Sequence, residues 1–157
     1  MMKIRKFLSK DSKQIIEISR ASFAEPWPQD EFEKYPEGSF VAEENGEVAG
    51  FVIGKISGNR GTLKLIAVNQ AYRGKGVGNS LMENIFNYFK ENNIKEVVAH
   101  SRIHNKAGCA FLKSFGLEIV ETIKNYYLDG EDAYSMVKKL DSYLNSRPAG
   151  RQGIAHR

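Results

Sequence analysis

The segment 65–78, with the sequence LIAVNQAYRGKGVG, is the feature that most constrains the fold of this chain. It begins as an apolar strand, continues through a polar turn and then carries Gly74, Gly76 and Gly78. Apolar residues then recur at helical spacing, which predicts a helix over 76–92. A glycine-rich turn that opens a helix points several unpaired N–H groups one way, beside the positive end of the helix dipole. The segment therefore predicts a site for a phosphate or pyrophosphate.

Two common phosphate-binding motifs do not fit this turn. A P-loop needs four residues between its glycines and a Ser or Thr after Gly-Lys, whereas Lys75 is followed by Gly76. The dinucleotide fingerprint needs Gly-x-Gly-x-x-Gly after an early strand, and here the third glycine comes one position too soon. A tight strand-to-helix turn that binds no ligand remains the alternative at this point.

Length and composition indicate a single domain with an ordinary core. The chain has 157 residues, of which 41% are hydrophobic, and its sequence has no apolar run near the roughly 18 residues of a membrane span. Its first residues are basic but lack the apolar segment of a signal peptide. The single cysteine, Cys109, fits a reducing compartment. We therefore expect a cytoplasmic protein.

The net charge of +4 is weak evidence for a nucleic-acid partner. Arg147, Arg151 and Arg157 supply three of these charges from the tail 145–157, so the remainder of the chain is nearly balanced. The tail has no periodicity, and we expect it to be disordered or an appended sequence. We assign 1–144 to one domain, and we expect no nucleic-acid partner, no membrane association and no metal.

The pattern of elements predicts an α+β fold with a mixed sheet of about seven strands. The dipeptide Asn45-Gly46 between two apolar segments is a strong hairpin signal. Asp11 or Ser12 is expected to cap a first helix, and a short second helix is expected through Phe32. The predicted strands are 3–8, 39–43, 47–53, 62–68, 96–100, 117–123 and 133–139, and the remaining helices are 76–92 and 105–115.

Four local sequences resemble one family. Arg73-x-x-Gly76-x-Gly78 resembles the pyrophosphate-binding loop of the GCN5-related N-acetyltransferases, and the element order over about 3–140 resembles their fold. The resemblance implies a three-layer α/β/α arrangement with a centrally splayed sheet. Three further matches are to the RimI-type protein N-terminal acetyltransferases: EPWP at 25–28, Arg102-x-x-Asn105 before a helix ending in SFG, and NYY at 125–127 before GEDA.

The resemblance implies that acetyl-CoA is the cosubstrate and lies between the strands 62–68 and 96–100. The pantetheine arm would pair with the backbone near Val68, where an N–H would face the thioester oxygen as charge develops on it. The diphosphate would lie on the glycine turn, and Asn105 would hydrogen-bond the cofactor. The implied cofactor residues are Ile66, Ala67, Val68, Arg73, Gly74, Lys75, Gly76, Val77, Gly78 and Asn105.

The type of amine decides how strong a base the reaction needs. An α-amino group has a pKa near 7.7–8.0, so about a tenth of it is neutral at pH 7. A lysine side chain, with a pKa near 10.4, is neutral in fewer than about one molecule in a thousand. An N-terminal substrate therefore requires only a modest base, acting directly or through a water.

The sequence departs from the RimI-type pattern at both expected proton-transfer positions. That pattern has a glutamate near the end of the fifth strand and a tyrosine in the next helix, whereas this chain has His100 and Leu112. We expect His100 to be the general base, because an ordinary histidine pKa near 6.5 suits an α-amine. The alternatives are a purely structural His100 and the neighbouring His104. The leaving thiolate would take its proton from solvent or from Tyr126 or Tyr127.

The resemblance also implies an acceptor site lined by Glu25, Trp27, Tyr126 and Tyr127. Each residue has a structural alternative: Trp27 as a core anchor, the tyrosines as a pair packed on the sheet, and Glu25 as a solvated charge. Glu131 and Asp132 are further acids that could attract a protonated amine. Cys109 is predicted to be a small buried residue.

The resulting expectation is acetyl transfer to the α-amino group of a protein N-terminus, for which a ribosomal protein is one candidate. A small-molecule amine is the alternative acceptor. A CoA-binding module that has lost catalysis is the alternative from another class of protein, since both usual catalytic positions have changed. We expect a monomer or a homodimer.

Overall fold

A computed structural model of the protein describes residues 2–23 and 33–140. These residues form seven strands and three α-helices, which confirms the predicted α+β class. The predicted helix through Phe32 and the tail 145–157 lie outside them. The bounds are β1 Met2–Lys6, α1 Ser12–Ser22, β2 Ser39–Glu44, β3 Glu47–Ser57, β4 Arg60–Val68, α2 Val77–Glu91, β5 Glu96–Arg102, α3 Lys106–Ser114, β6 Glu118–Ile123 and β7 Ala133–Lys139.

The chain divides into two compact units, which are described separately. The first consists of Met1–Lys55 and Leu63–Tyr88, and the second of Ile56–Thr62 and Phe89–Arg157. In the first unit the strands lie in the order β1-β2-β3-β4, with β2 antiparallel to both of its neighbours. Asn45 and Gly46 have positive φ angles of 54° and 82°, as a tight two-residue hairpin requires, so the predicted hairpin is confirmed.

The first unit has a helix on each face of its strands. Ile15 of α1 belongs to a buried cluster with Phe51 and Ile53 of β3. Successive residues of a strand point to opposite faces, and a Cβ at Gly50 would lie 3.1 Å from the side chain of Val77 in α2. The two helices therefore cover opposite faces of β3. The glycine at 50 lets the first turn of α2, which follows the glycine-rich turn, pack closely on the strand.

Asp11 occupies the N-cap position of α1, but its side chain makes no capping bond to that helix. Its carboxylate instead accepts two hydrogen bonds of 2.9 Å from the guanidinium of Arg5 and one of 2.8 Å from the backbone N–H of Leu8. The side chain of Asp11 is only 3% exposed. Burial alone would raise the pKa of Asp11, but these donors outweigh it and lower the pKa.

In the second unit β7 lies between β5 and β6 and is antiparallel to both. The tip of the β3–β4 hairpin, Ile56–Thr62, belongs to this unit, where Arg60 pairs with Glu96 at 2.6 Å. Cys109 is buried in α3, as predicted. Gly116 follows this helix with a φ of 95° and ends it, again as predicted. None of the helices in residues 2–23 and 33–140 has the length and hydropathy of a membrane span.

Candidate functional site

The end of β4 is held by Asn69, which sets the direction of the glycine turn. Its backbone N–H donates to the carbonyl of Ala49 at 2.7 Å, and its side chain accepts from the N–H of Ala71 at 3.0 Å. A single 3₁₀ turn, Gln70–Tyr72, follows. The chain therefore leaves the strand in a fixed direction before it reaches the glycines.

Gly74 and Gly76 both have positive φ angles, of 78° and 82°. A backbone that alternates ordinary and positive φ angles turns its N–H groups toward one side, which makes a concave anion site. A Cβ built on either glycine would meet nothing within 4 Å, so the turn is open. In α2 the N–H of Ser80 donates to the carbonyl of Gly76 at 3.1 Å, and the N–H groups before it are those that a helix leaves unpaired.

Two exposed cations flank these glycines. The ammonium of Lys75 lies 5.7 Å from the ring centroid of Tyr72, and Nε of Arg73 lies 3.4 Å from the carbonyl of Val68. The hydroxyl of Tyr72 donates to the carboxylate of Glu47 at 2.5 Å, which raises the pKa of Tyr72. The turn thus combines backbone N–H groups with positive charge. The roles of Arg73, Gly74, Lys75, Gly76, Val77 and Gly78 in binding the cofactor remain predictions.

The predicted pantetheine residues lie at the end of β4. Ala67 is buried, whereas Ile66 and Val68 are half-buried. Val68 also borders a cavity of about 320 Å³ in the first unit. The other residues that line this cavity are Gln14, Glu17, Ile18, Ala21, Ser22, Glu47, Asn69 and Gln70.

In the second unit, three predicted site residues lie together. His100 lies near the end of β5, opposite Ser135 of β7. Its ring stacks on the ring of Tyr126 with centroids 4.7 Å apart and planes 17° apart. The ring of Tyr126 contacts that of Tyr127 edge to face at 4.9 Å. A half-buried imidazole therefore lies beside an exposed aromatic surface, while the other two predicted acceptor residues, Glu25 and Trp27, lie outside the described residues.

The two tyrosines differ in their surroundings. Tyr126 is 45% exposed, whereas Tyr127 is half-buried. Burial is the main cause that raises the pKa of Tyr127 to about 12. The hydroxyl of Tyr127 therefore stays protonated at neutral pH, where it can donate a hydrogen bond but is a weak acid.

His104 has a different partner from His100. Its Nδ1 lies 2.8 Å from the carboxylate of Glu131, and its side chain is 82% exposed. The ring contacts found in the described part of the chain join His100, and not His104, to the tyrosine pair. Of the two histidines, His100 is thus the one that packs on the predicted acceptor residues, and its role as the base remains a prediction.

Asn105 is the N-cap residue of α3. Its side-chain oxygen accepts from the N–H of Gly108 at 2.9 Å, so that oxygen serves the helix. The cofactor hydrogen bond predicted for Asn105 therefore falls to its NH₂ group, and it remains a prediction. Leu112, at the position where the RimI-type pattern has tyrosine, is buried in α3 and carries no proton to transfer.

Arg102 belongs to the motif Arg102-x-x-Asn105, but the sequence predicted no role for it at the site. Its guanidinium contacts the carboxylates of Asp129 and Glu131 at 2.9 and 2.7 Å, and its central carbon lies 4.0 Å from the ring centroid of Tyr127. The hydrogen bond from Arg102, followed by that from His104, lowers the pKa of Glu131. Asp132 accepts hydrogen bonds from the ammonium of Lys124 and from the N–H of Asn125 across the same loop. Glu131 and Asp132, expected to attract an amine, already have cationic partners.

Comparison with known proteins gives a consistent result. A sequence model described as the acetyltransferase (GNAT) family matches residues 12–117. An uncharacterized N-acetyltransferase of Methanocaldococcus jannaschii is 35% identical over 88% of this chain and 92% of its own length. An N-alpha-acetyltransferase of Sulfolobus acidocaldarius is 33% identical over 83% of this chain and 88% of its own.

Two solved structures resemble the described fold closely. The structure of Ard1 from Thermoplasma volcanium has a TM-score of 0.85, at 29% identity over 90% of this chain and 99% of the other. The structure of the ribosomal-protein-S18-alanine N-acetyltransferase from Escherichia coli has a TM-score of 0.82, at 27% identity over 94% of this chain and 99% of the other. Both the predicted fold and the resemblance to RimI-type enzymes are thereby confirmed.

Proposed function

Because this chain belongs to the acetyltransferase (GNAT) family, we propose that it acetylates the α-amino group of a protein N-terminus. Acetyl-CoA is the cosubstrate, as in the family. The observation that carries the proposal is the stack of His100 on the exposed ring of Tyr126. It supports the proposal because the imidazole lies against an exposed aromatic ring, on which an acceptor peptide would pack.

The glycine turn and the end of β4 are the proposed cofactor site. The diphosphate of acetyl-CoA would accept hydrogen bonds from the N–H groups that follow Arg73, with Lys75 supplying further positive charge. The positive φ angles of Gly74 and Gly76 and the open space around both glycines support this assignment. The backbone of Ile66–Val68 would hold the pantetheine arm, with Asn105 as a further contact.

In the proposed reaction the α-nitrogen attacks the thioester carbonyl carbon, and the C–S bond breaks as the tetrahedral intermediate collapses. His100 takes the proton from the nitrogen, directly or through a water. The CoA thiolate, whose ordinary pKa is about 8.5, takes its proton from solvent. Buried Leu112 supplies no acid in place of the tyrosine, and Tyr127 has too high a pKa to be an efficient one.

The relatives support a protein N-terminus as the acceptor. The relative from Sulfolobus acidocaldarius is named an N-alpha-acetyltransferase, and the Escherichia coli structure is that of an enzyme for the alanine of ribosomal protein S18. A ribosomal protein is thus one candidate substrate of this chain. We assign the reaction to a single domain, 1–144, in the cytoplasm, where Cys109 would remain reduced.

The direct test is mass spectrometry of peptides with Ala, Ser or Met at a free N-terminus after incubation with acetyl-CoA. One acetyl group on the first residue of at least one peptide is the expected result. Matched peptides with a blocked N-terminus and a panel of polyamines, amino sugars and free amino acids serve as controls. Turnover of a small amine without any turnover of the peptides would replace the proposal with a small-molecule acetyltransferase.

A further inference from the structure

The loop 124–132 between β6 and β7 is closed by its own hydrogen bonds. The N–H of Tyr127 donates to the carbonyl of Glu131 at 3.1 Å, and the N–H of Gly130 donates to the carbonyl of Tyr127 at 2.8 Å. The carboxylate of Asp129 accepts from the N–H of Glu131 at 3.0 Å. The loop is therefore a compact turn with a defined shape.

This compact loop presents apolar groups to solvent. The side chain of Leu128 is 96% exposed and that of Tyr126 is 45% exposed. Tyr126 also stacks on His100, so the exposed groups begin beside the proposed base. A single exposed leucine is ordinary on a protein surface, and what distinguishes Leu128 is that it belongs to the same short loop as Tyr126. An acceptor chain lying along the loop would cover both residues.

Arg102 joins this loop to the end of β5. Its guanidinium contacts Asp129 at 2.9 Å and Glu131 at 2.7 Å, and it lies over the face of Tyr127 at 4.0 Å. A planar guanidinium can bond carboxylates at its edge while its face packs on an aromatic ring, which an ammonium cannot do. One side chain thus fixes two acids and one ring of the same loop.

We propose that Arg102 is a positioning residue, which holds the loop 124–132 in the form that receives the acceptor substrate. This inference rests on the proposed function, because it takes Tyr126 and Tyr127 as the acceptor side of the site. Without Arg102, Asp129 and Glu131 repel each other, and Tyr127 loses the cation on its face. The loop then samples other forms, and the peptide binds only the correctly shaped fraction of the molecules.

The first test is steady-state kinetics of Arg102→Gln. We expect the KM for the peptide to rise about ten- to a hundredfold, since misplacing a positioning element by about 1 Å has effects of that size. The KM for acetyl-CoA should change by less than about twofold, since Asp129, Glu131 and Tyr127, which the Arg102 side chain contacts, are not among the proposed cofactor residues. The peptide KM of Arg102→Lys should fall between those of the wild type and Arg102→Gln, because lysine restores the charge but not the planar contact.

Lys124→Gln is the matched control. It removes the Lys124–Asp132 ion pair from the same loop, and that lysine is 79% exposed. Its peptide KM should stay within about twofold of the wild type, because exposed ion pairs contribute little. A peptide KM that rises equally in Lys124→Gln and Arg102→Gln would overturn the inference, and so would an unchanged KM in Arg102→Gln.

Hydrogen exchange of the amides in 124–132 gives a second measurement that needs no substrate. Faster exchange in Arg102→Gln than in Lys124→Gln, with slow exchange retained in β5 and β7, is the expected result. Unchanged exchange in the loop would overturn the inference even if the enzyme acetylates peptides. If the wild type acetylates no peptide but the loop exchange still increases, the proposed acceptor fails while the role of Arg102 in ordering the loop is retained.

Discussion

Among the single residues of the candidate site, His100, His104 and Asn105 make three different kinds of contact. His100 stacks on an exposed ring, whereas His104 pairs with a loop carboxylate and Asn105 caps a helix. The sequence predicted all three as candidates but could not separate the two histidines, because their partners, Tyr126 and Glu131, are far away in the chain. For Arg102 the two acidic partners are 27 and 29 residues away, and no local pattern indicates such a contact.

The substitution His100→Ala should lower kcat for a peptide substrate by roughly a hundredfold, because a positioned general base contributes about that much. The KM for acetyl-CoA should be nearly unchanged, and His104→Ala should retain a clearly higher kcat than His100→Ala. Initial-rate measurements with saturating acetyl-CoA check this. Wild-type kcat in His100→Ala would remove His100 from the mechanism.

The substitution Gly76→Ala should raise the Kd for acetyl-CoA at least tenfold. Its φ of 82° is unfavourable for alanine, so the turn either stores about 1–3 kcal/mol of strain or changes shape. Gly46→Ala is the matched control, because Gly46 has the same φ, equally open space around its Cβ position and no place in the turn. Calorimetry of both variants decides: a similar loss of affinity in the two would contradict a specific role for Gly76.

At the scale of elements, most helix and strand bounds could be predicted because they depend on local patterns. Alternating apolar residues and Asn45-Gly46 predicted the β2–β3 hairpin, and the glycines marked the start of α2 and the end of α3. What local patterns could not give is the packing between elements. Asp11 illustrates this: the sequence predicts a helix cap, but the buried carboxylate pairs with Arg5 on β1, a contact that depends on how the chain folds back.

The substitution Gly50→Ala should destabilise the protein by about 1–3 kcal/mol, as overpacked sites do. The new Cβ would lie 2.8 Å from the carbonyl oxygen of Ala67 and 3.1 Å from side-chain atoms of Val77 and Leu81, so the start of α2 must move. Urea unfolding measures the effect. Ser57→Ala, at the exposed end of the same strand, is the control. Equal stability of the two variants would contradict the close packing of α2 on β3.

At the scale of the whole molecule, carboxylates with cationic or N–H partners tie stability to pH. The pKa values of Asp11, Glu43, Asp129, Glu131 and Asp132 are all lowered. A carboxylate whose pKa is lower in the folded than in the unfolded state stabilises the fold above its unfolded pKa, near 4. That contribution is lost as the pH falls through the folded value. The protein should therefore lose stability progressively below about pH 4.

Asp11→Asn should cost about 2 kcal/mol of unfolding free energy at pH 7, because charge-assisted hydrogen bonds from Arg5 are lost in a buried place. The difference from the wild type should shrink as the pH falls below about 4 and through the lowered pKa of Asp11, where Asp11 itself is protonated. Glu37→Gln, which breaks the exposed pair with Lys6, should change stability by less than about 0.5 kcal/mol. A difference for Asp11→Asn that stays constant with pH would contradict the ion-pair interpretation.

The proposed acceptor of the acetyl group is an α-amine and not a lysine side chain. The most direct measurement is fragment mass spectrometry of one peptide that carries both a free N-terminus and an internal lysine, after incubation with the enzyme and acetyl-CoA near pH 7. The account predicts a single acetyl group on the first residue, and none when that residue is blocked. Acetyl on the lysine instead, or on neither amine across peptides of varied N-terminal sequence, would contradict it.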